Sequence, residues 1–322
     1  MTKLGRLYSP EFKAEAVKLV HSSEERYRVR PKTFESYEWL VCKHVAPEIG
    51  RVKLASLNAA HLQGLYRSKL DAGLSARTVR YIHAVLHRAL KQALRWGLVP
   101  RNVSEAVDPP KLQREEIRPL SRGEARRLLE AASEAGDRLE ALYVLAVHCG
   151  LRQGELLGLR WEDVDLEAAT LQVRRVLTTA KEGPKFTAPK TAKSRRTIRL
   201  NRQAAEALMR HHSRQFDESV RLAGEWQDYG LVFATTAGTP LSPRNLTGRS
   251  FKPLLKRAGL PDIRFHDLRH TCATLLLSSG VHPKLVQELL GHASIAITLD
   301  TYSHVLPGMG DQAASAMETV LE

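Results

Sequence analysis

The stretch from Pro109-Pro110 to Pro119 divides this 322-residue chain and limits what each side of it can become. Paired prolines hold the backbone extended and remove two amide donors. The neighbouring Arg114, Glu115, Glu116 and Arg118 offer little to bury. A linker over 111–120 is therefore expected, with a separate hydrophobic core on each side.

Residues 32–110 read as helices joined by short turns, which makes a compact all-α domain. Thr33 is placed to cap a helix through Phe34, Tyr37, Leu40 and Val41 that ends before Pro47. Asn58 caps a second through Leu62, Leu65, Tyr66 and Leu70, closed by Gly73. Ser75 opens a long third with the apolar stripe Val79, Ile82, Leu86, Leu90 and Leu94, and Gly97 stops it. A short helix over Asn102–Val107 completes the set. Residues 121–322 differ. Ser121 and Glu124 have capping-box spacing, and helices follow around 122–135 and 138–149, with Gly150 suited to a helix end. Leu171–Val176 and Arg196–Leu200 alternate like strands, with polar, basic Pro184–Arg195 between them. Residues 201–322 return to helices, broken by a loop over 223–249. The expected fold is mainly α with a small antiparallel β-sheet: an all-α domain followed by an α+β domain.

A formal net charge of +14 points to a polyanionic partner, most often nucleic acid. Three scattered cysteines, Cys42, Cys149 and Cys272, make neither a disulfide framework nor a zinc knuckle. No stretch is apolar and long enough to span a bilayer, and the N-terminus lacks the apolar core of a signal peptide, so a cytoplasmic location is expected. No Walker A motif and no metal-ligand cluster stand out, so no cofactor and no metal are expected.

Chemistry-bearing residues gather in the second domain. Arg152 follows Gly150-Leu151 and precedes Glu155; a guanidinium fork matches two phosphate oxygens and stays charged, and Glu155 suits the orienting of an arginine. The pattern His-x-x-Arg occurs twice. His211–Arg214 lies in a polar run that reads as a solvated helix face. His266–Arg269 leads into apolar Leu275-Leu276-Leu277, and one helical turn puts both side chains on one face. His270 reads as structural, bonded to backbone. His266 and His270 also have zinc-protease spacing, but that motif needs Glu after the first His, where Asp267 stands, and Arg269 would put a cation beside the metal. Gly291-His292 marks a helix stop. Tyr302 lies ten residues later, in Asp300-Thr301-Tyr302-Ser303-His304. A phenol ionises near pH ~10, and two nearby guanidinium groups favour its phenolate. Lys190 sits in Pro189-Lys190-Thr191, with Lys185 and Lys193 as local competitors.

In this order the set resembles the tyrosine recombinases, or phage-type integrases, from about residue 33 to 310. The resemblance implies an all-α core-binding domain over 32–110 and a catalytic domain over 121–322. It implies a phosphoryl-transfer site of Arg152, Lys190, His266, Arg269, His292 and Tyr302, with Glu155 in support. Tyr302 attacks phosphorus to give a 3′-phosphotyrosine and a free 5′ hydroxyl. The arginines hold the non-bridging oxygens, His266 helps take the tyrosine proton, His292 steadies the phosphoryl group and Lys190 protonates the leaving oxygen. The implied partner is double-stranded DNA in a basic cleft, gripped by Arg77, Arg80 and Lys91 of the first domain and by Lys185, Lys193 and Arg195 of the second. Four protomers act on two DNA segments, a tail around Ala313–Met317 docks on a neighbour, and a directionality factor is a further candidate partner. The bond energy stays in the phosphotyrosine, so neither ATP nor a metal is required.

Residues 1–31 depart from that pattern. Ser9, Pro10 and Glu11 begin one short helix similar to the first helix of a transposase helix-turn-helix, with no second helix before Pro31. This segment is expected to be dispensable for cutting. Three other readings stay open: a type IB topoisomerase-like enzyme without partner exchange, a catalytically dead DNA-binding regulator and a metal-dependent transposase.

Overall fold

The computed structural model describes residues 31–112, 117–180, 183–189, 194–302 and 317–318. Residues 1–30, Lys190, Lys193 and the tail residues 313–316 lie outside this set, so the expectations placed on them do too. The chain separates into two compact units, Met1–Glu115 and Glu116–Glu322.

In the first unit, helix α1 (Pro31–Leu40) runs on through a π turn, Val41–Val45, into a last turn, Ala46–Ile49. Thr33 is thus inside a helix rather than capping one, and Pro47 does not end it. The π turn explains the second point. The Ala46 N–H reaches back five residues to the Val41 carbonyl, and Pro47 falls at the start of the last turn, where a missing N–H costs little. Helix α2 (Ala59–Asp71) carries a full capping box, Asn58 and His61 each accepting the other's amide. Helix α3 (Ala76–Arg95) starts at Ser75, whose hydroxyl accepts the Thr78 N–H. Its buried stripe is Val79, Ile82, Val85, Leu86, Leu90 and Ala93. Leu94, expected in the stripe, faces outward at 39% exposure. The expected fourth helix is a single 3-10 turn, Val103–Ala106.

The outer face of α3 is basic. Arg77, Arg80, Arg88, Lys91 and Arg95 are all exposed and are spaced by three, eight, three and four residues, near multiples of the helical repeat, so they form one stripe, and the helix has no carboxylate. Arg80 also donates to the Pro110 carbonyl at 3.3 Å.

The second unit begins with α4 (Arg122–Glu134), whose capping box joins Ser121 and Glu124 in both directions. Helix α5 (Glu140–Cys149) is apolar nearly all round and accordingly central, packed between α7 (Arg202–Leu222) and α9 (Asp267–Ser278). After the short helix α6 (Gln153–Leu157) come β1 (Val164–Asp165) and β2 (Thr170–Val173). Strand β5 (Arg196–Arg199) joins them in an antiparallel sheet of order β1-β2-β5, with Leu171 opposite Ile198. The strand expected over Leu171–Val176 breaks after Val173. There Arg174 and Arg175 turn to the buried Asp163, the latter at 2.9 Å. A second hairpin follows, β3 (Val176–Ala180) against β4 (Gly183–Thr187), partly inside the stretch that reads as a polar loop.

Helix formation resumes within the expected 223–249 loop. Pro243–Asn245 leads through a π segment, Leu246–Phe251, into α8 (Lys252–Arg257). Proline at a first helical turn favours this start. Three helices close the described chain: α9, α10 (Pro283–Leu290) and α11 (Ile295–Tyr302). They enclose a small core of Ala273, Leu277, Val286, Leu290 and the Tyr302 ring. Among the described residues, no helix is long and apolar enough to cross a membrane.

Candidate active site

Gly150 starts the site. It ends α5 in the left-handed region, at φ 60°, and a side chain there would meet Leu290 at 2.5 Å and Cys272 at 3.2 Å. Backbone and space both require glycine. The freed carbonyl of Gly150 accepts Nη1 of Arg269 at 2.8 Å, and the carbonyl of Leu290, the last residue of α10, accepts Nη2 at 2.6 Å. Carbonyls at helix C-termini lack helical partners and carry partial negative charge, so two helix ends hold one cation. Arg269 is 2% exposed. Burial, then Arg152, bring its guanidinium down to about 9, still charged at neutral pH.

Arg152 is the N-cap of α6, and its side chain is more open. Glu155 accepts its N–H at 3.0 Å and its Nη1 at 2.7 Å. The same carboxylate, with a side chain 1% exposed, takes Nη2 of Arg196 at 3.0 Å. Arg196 in turn donates Nε to the Leu289 carbonyl at 2.6 Å. Burial alone would push the Glu155 carboxyl up; Arg196 and then Arg152 outweigh it and hold the group below the ordinary carboxylate range.

Glu155→Gln should cost on the order of 3 kcal/mol, because it leaves the buried Arg196 guanidinium short of its counter-ion. The sign follows from the lowered carboxyl. This stabilisation is complete above the unfolded-state value near ~4.3 and is lost as pH falls through the folded-state one. Urea melts should thus separate wild type from variant at pH ~7 and bring them together in acid.

His292 follows the stop of α10 at Gly291, φ 65°, and its N–H closes the helix on the Gln287 carbonyl at 3.1 Å. The Gln287 side chain donates to the His292 carbonyl at 2.6 Å, and His292 Nδ1 meets Thr298 Oγ1 at 2.9 Å. Burial, then Arg269 and Arg152, depress the imidazole to about 4. His266, at the N-cap of α9, is lowered for the same reasons in the same order. Both rings are neutral at physiological pH.

Tyr302 ends the described part of α11 and is 2% exposed. Its ring packs in the small core of the last three helices, and its hydroxyl lies 2.7 Å from Nδ1 of His270. This corrects the reading of His270 as backbone-bonded. Burial raises the phenol to about 12 although Arg269 pulls it down. The expected preference for phenolate is therefore reversed in the free protein.

The structure thus brings together Arg152, Glu155, His266, Arg269, His292 and Tyr302. It adds His270 and Arg196. Arg196 was legible as a strand residue only, yet it shares a strand face with buried Ile198, and an arginine on an inward face demands a partner. Lys185 lies on β4 and Arg195 just before β5, both exposed; Arg77, Arg80 and Lys91 belong to the α3 stripe. The other His-x-x-Arg run is structural. His211 is not solvated but 2% exposed, bonded through Nε2 to the Val232 carbonyl at 2.7 Å, and Arg214 donates to the Asp137 carbonyl at 3.0 Å. Among the described residues, no group of three His, Cys, Asp or Glu is placed to hold a metal.

Two clamped guanidinium groups, neutral imidazoles and a phenol in one site have the chemistry to hold an anionic group and to offer it a nucleophile. The model of the phage integrase family matches residues 118–308. A tyrosine recombinase XerC-like protein of Caldanaerobacter subterraneus subsp. tengcongensis is 33% identical over 311 residues, covering 90% of this chain and 78% of that protein. An integrase of Streptomyces ambofaciens is 32% identical over 283 residues, covering 84% and 71%. The Tn1549 transposon integrase, solved with a circular intermediate DNA, superimposes with a TM-score of 0.77 at 22% identity over 95% of this chain and 99% of that one. Lambda integrase bound to DNA gives 0.61 at 22% identity, over 89% and 94%. The chain belongs to the phage integrase family of tyrosine recombinases. It is a site-specific recombinase.

Proposed function

We propose that the chain cleaves and rejoins double-stranded DNA at a defined site through a 3′-phosphotyrosine on Tyr302, in the service of a phage or another mobile element. The observation that carries this reading is the placement of the Tyr302 hydroxyl in the same packed unit as Arg269, a buried cation whose two recorded partners are neutral carbonyls. Arg152 and Arg269 hold the non-bridging oxygens and stabilise the charge that develops on them. Neutral His266 and His292 stand beside both guanidinium groups and suit hydrogen bonds to the same oxygens. Glu155 and Arg196 keep Arg152 in place.

Residues 32–110 form the core-binding domain in this proposal, and 121–322 the catalytic one. The α3 stripe supports DNA contact in the former; Arg88 and Arg95 join Arg77, Arg80 and Lys91 there. Lys185 and Arg195 support it in the latter, with Lys193. Four protomers act on two DNA segments in the cytoplasm, and a directionality factor sets the outcome. A suicide substrate that loses its cleaved 5′ fragment tests the chemistry. An SDS-stable adduct should form and map to Tyr302, and failure to form one on any bound core site would sink the proposal.

Lys190 is assigned here as the general acid. Lys190→Ala should slow cleavage of a normal strand by roughly 10²–10⁴-fold, the usual worth of such a group. A 5′-bridging phosphorothiolate should restore the rate, since a thiolate leaves unprotonated. Lys193→Ala should show no such rescue; if rescue follows Lys193 instead, the assignment is off by three residues.

A further inference from the structure

We infer that His270 takes the proton of Tyr302 as the phenol attacks phosphorus, and returns it when the phosphotyrosine is resolved. The inference rests on the recombinase reading above and assigns a residue that reading does not use. The Tyr302 hydroxyl lies 2.7 Å from Nδ1 of His270, with ring centroids 5.7 Å apart. With hydrogen on Nε2, the tautomer that proton transfer from the phenol requires, the Nδ1 lone pair faces the hydroxyl. The two residues belong to α9 and α11, which share the small core, so packing rather than a loop holds the pair.

Chemistry agrees with the geometry. The phenol, raised to about 12, arrives with its proton on and needs an acceptor in contact. His270 is free to accept, because burial, then His266, depress its ring to about 4. Around it stand His266, edge-on at 5.1 Å, with Asp267, Arg269 and Arg264 on the same helix or just before it, and His292 after α10. The resemblance would give the proton to His266. His266 instead lies against the ring of His270 and near the arginines, where a phosphoryl oxygen would sit.

The step balances. The Tyr302 oxygen–phosphorus bond forms, the phosphorus–O5′ bond breaks, the phenol proton moves to Nδ1 of His270, and the 5′ oxygen is protonated by the general acid. In resolution, a partner strand's 5′ hydroxyl attacks phosphorus and gives its proton to that acid's conjugate base. The departing phenolate recovers its own from His270.

Two variants and two substrates test this. His270→Asn leaves an acceptor oxygen near the Nδ1 position but no proton acceptor at neutral pH; His270→Ala removes both. Each should slow suicide-substrate cleavage by about 10²–10³-fold while core-site binding holds. The second substrate is a strand ending in a 3′-(p-nitrophenyl) phosphate, joined to a 5′ hydroxyl in a Tyr302→Phe background. Its leaving group needs no proton and no tyrosine takes part, so adding His270→Ala should change joining by less than about twofold, whereas adding Arg269→Ala should abolish it. A His270→Asn enzyme that cleaves at the wild-type rate would reduce His270 to a positioning group and overturn the inference. So would a large loss of nitrophenyl joining on adding His270→Ala. Failure of the recombinase reading looks different: no adduct on the wild-type enzyme, and joining indifferent to Arg269.

Discussion

Tyr302→Phe is expected to abolish covalent attachment to DNA while leaving core-site binding near wild type. Only a hydroxyl is lost. The ring keeps its neighbours Ala273, Leu277, Val286 and Leu290, so the last three helices should stay assembled. The hydroxyl's one recorded partner is His270, and losing that hydrogen bond costs about 1 kcal/mol. Stability should therefore move by about that much, and cleavage should vanish. Gel analysis after SDS treatment of a trapped suicide substrate gives the answer. A surviving adduct would mean that another side chain is the nucleophile.

The second large effect separates the two His-x-x-Arg runs. Arg269→Ala should slow cleavage by on the order of 10³-fold, or about 4 kcal/mol, because the guanidinium gains strength as charge develops on phosphorus. Arg269→Lys should recover little, since one ammonium cannot replace a fork that spans the Gly150 and Leu290 carbonyls and still faces a phosphate. Arg214→Ala should stay within a few-fold at temperatures where the protein is folded, because Arg214 holds the Asp137 carbonyl and not the site. Single-turnover cleavage at saturating protein measures both. Equal losses would show that the wrong run was assigned.

Helix ends were the most legible features of this fold, because their chemistry is local. Asn58, Ser75, Ser121 and the stops at Gly73, Gly150 and Gly291 all act within a few residues of themselves. Where a distant partner decides, the pattern misled. The strand after Leu171 breaks because Asp163, in an earlier turn, takes Arg175. Pro47 fails to end a helix because a π turn just upstream has already changed the bonding. The site divides the same way. The order of Arg152, His266, Arg269, His292 and Tyr302 is written in the chain, whereas the bond from His270 to Tyr302 joins residues thirty-two positions apart. The protonation of Tyr302 was the least legible, since it is a contest between burial and a nearby cation, and only three-dimensional placement decides which wins.

The carbonyl clamp on Arg269 has a consequence for charge balance. Carbonyls restrain a guanidinium without neutralising it, so among the described residues only the pair on Glu155, of the three site arginines, share a counter-ion. With the imidazoles and the phenol neutral, Arg152, Arg196 and Arg269 outnumber the one carboxylate of Glu155, so these groups leave the centre net positive before any lysine is counted. A DNA phosphodiester brings one negative charge; on the proposed chemistry the five-coordinate phosphorus formed when tyrosine adds brings two, and the excess positive charge favours it the more. The site therefore favours the species halfway through the reaction over the DNA it first meets. A metal oxyanion such as vanadate, bridging Tyr302 and a nicked strand's 5′ hydroxyl, should accordingly bind far more tightly than intact DNA.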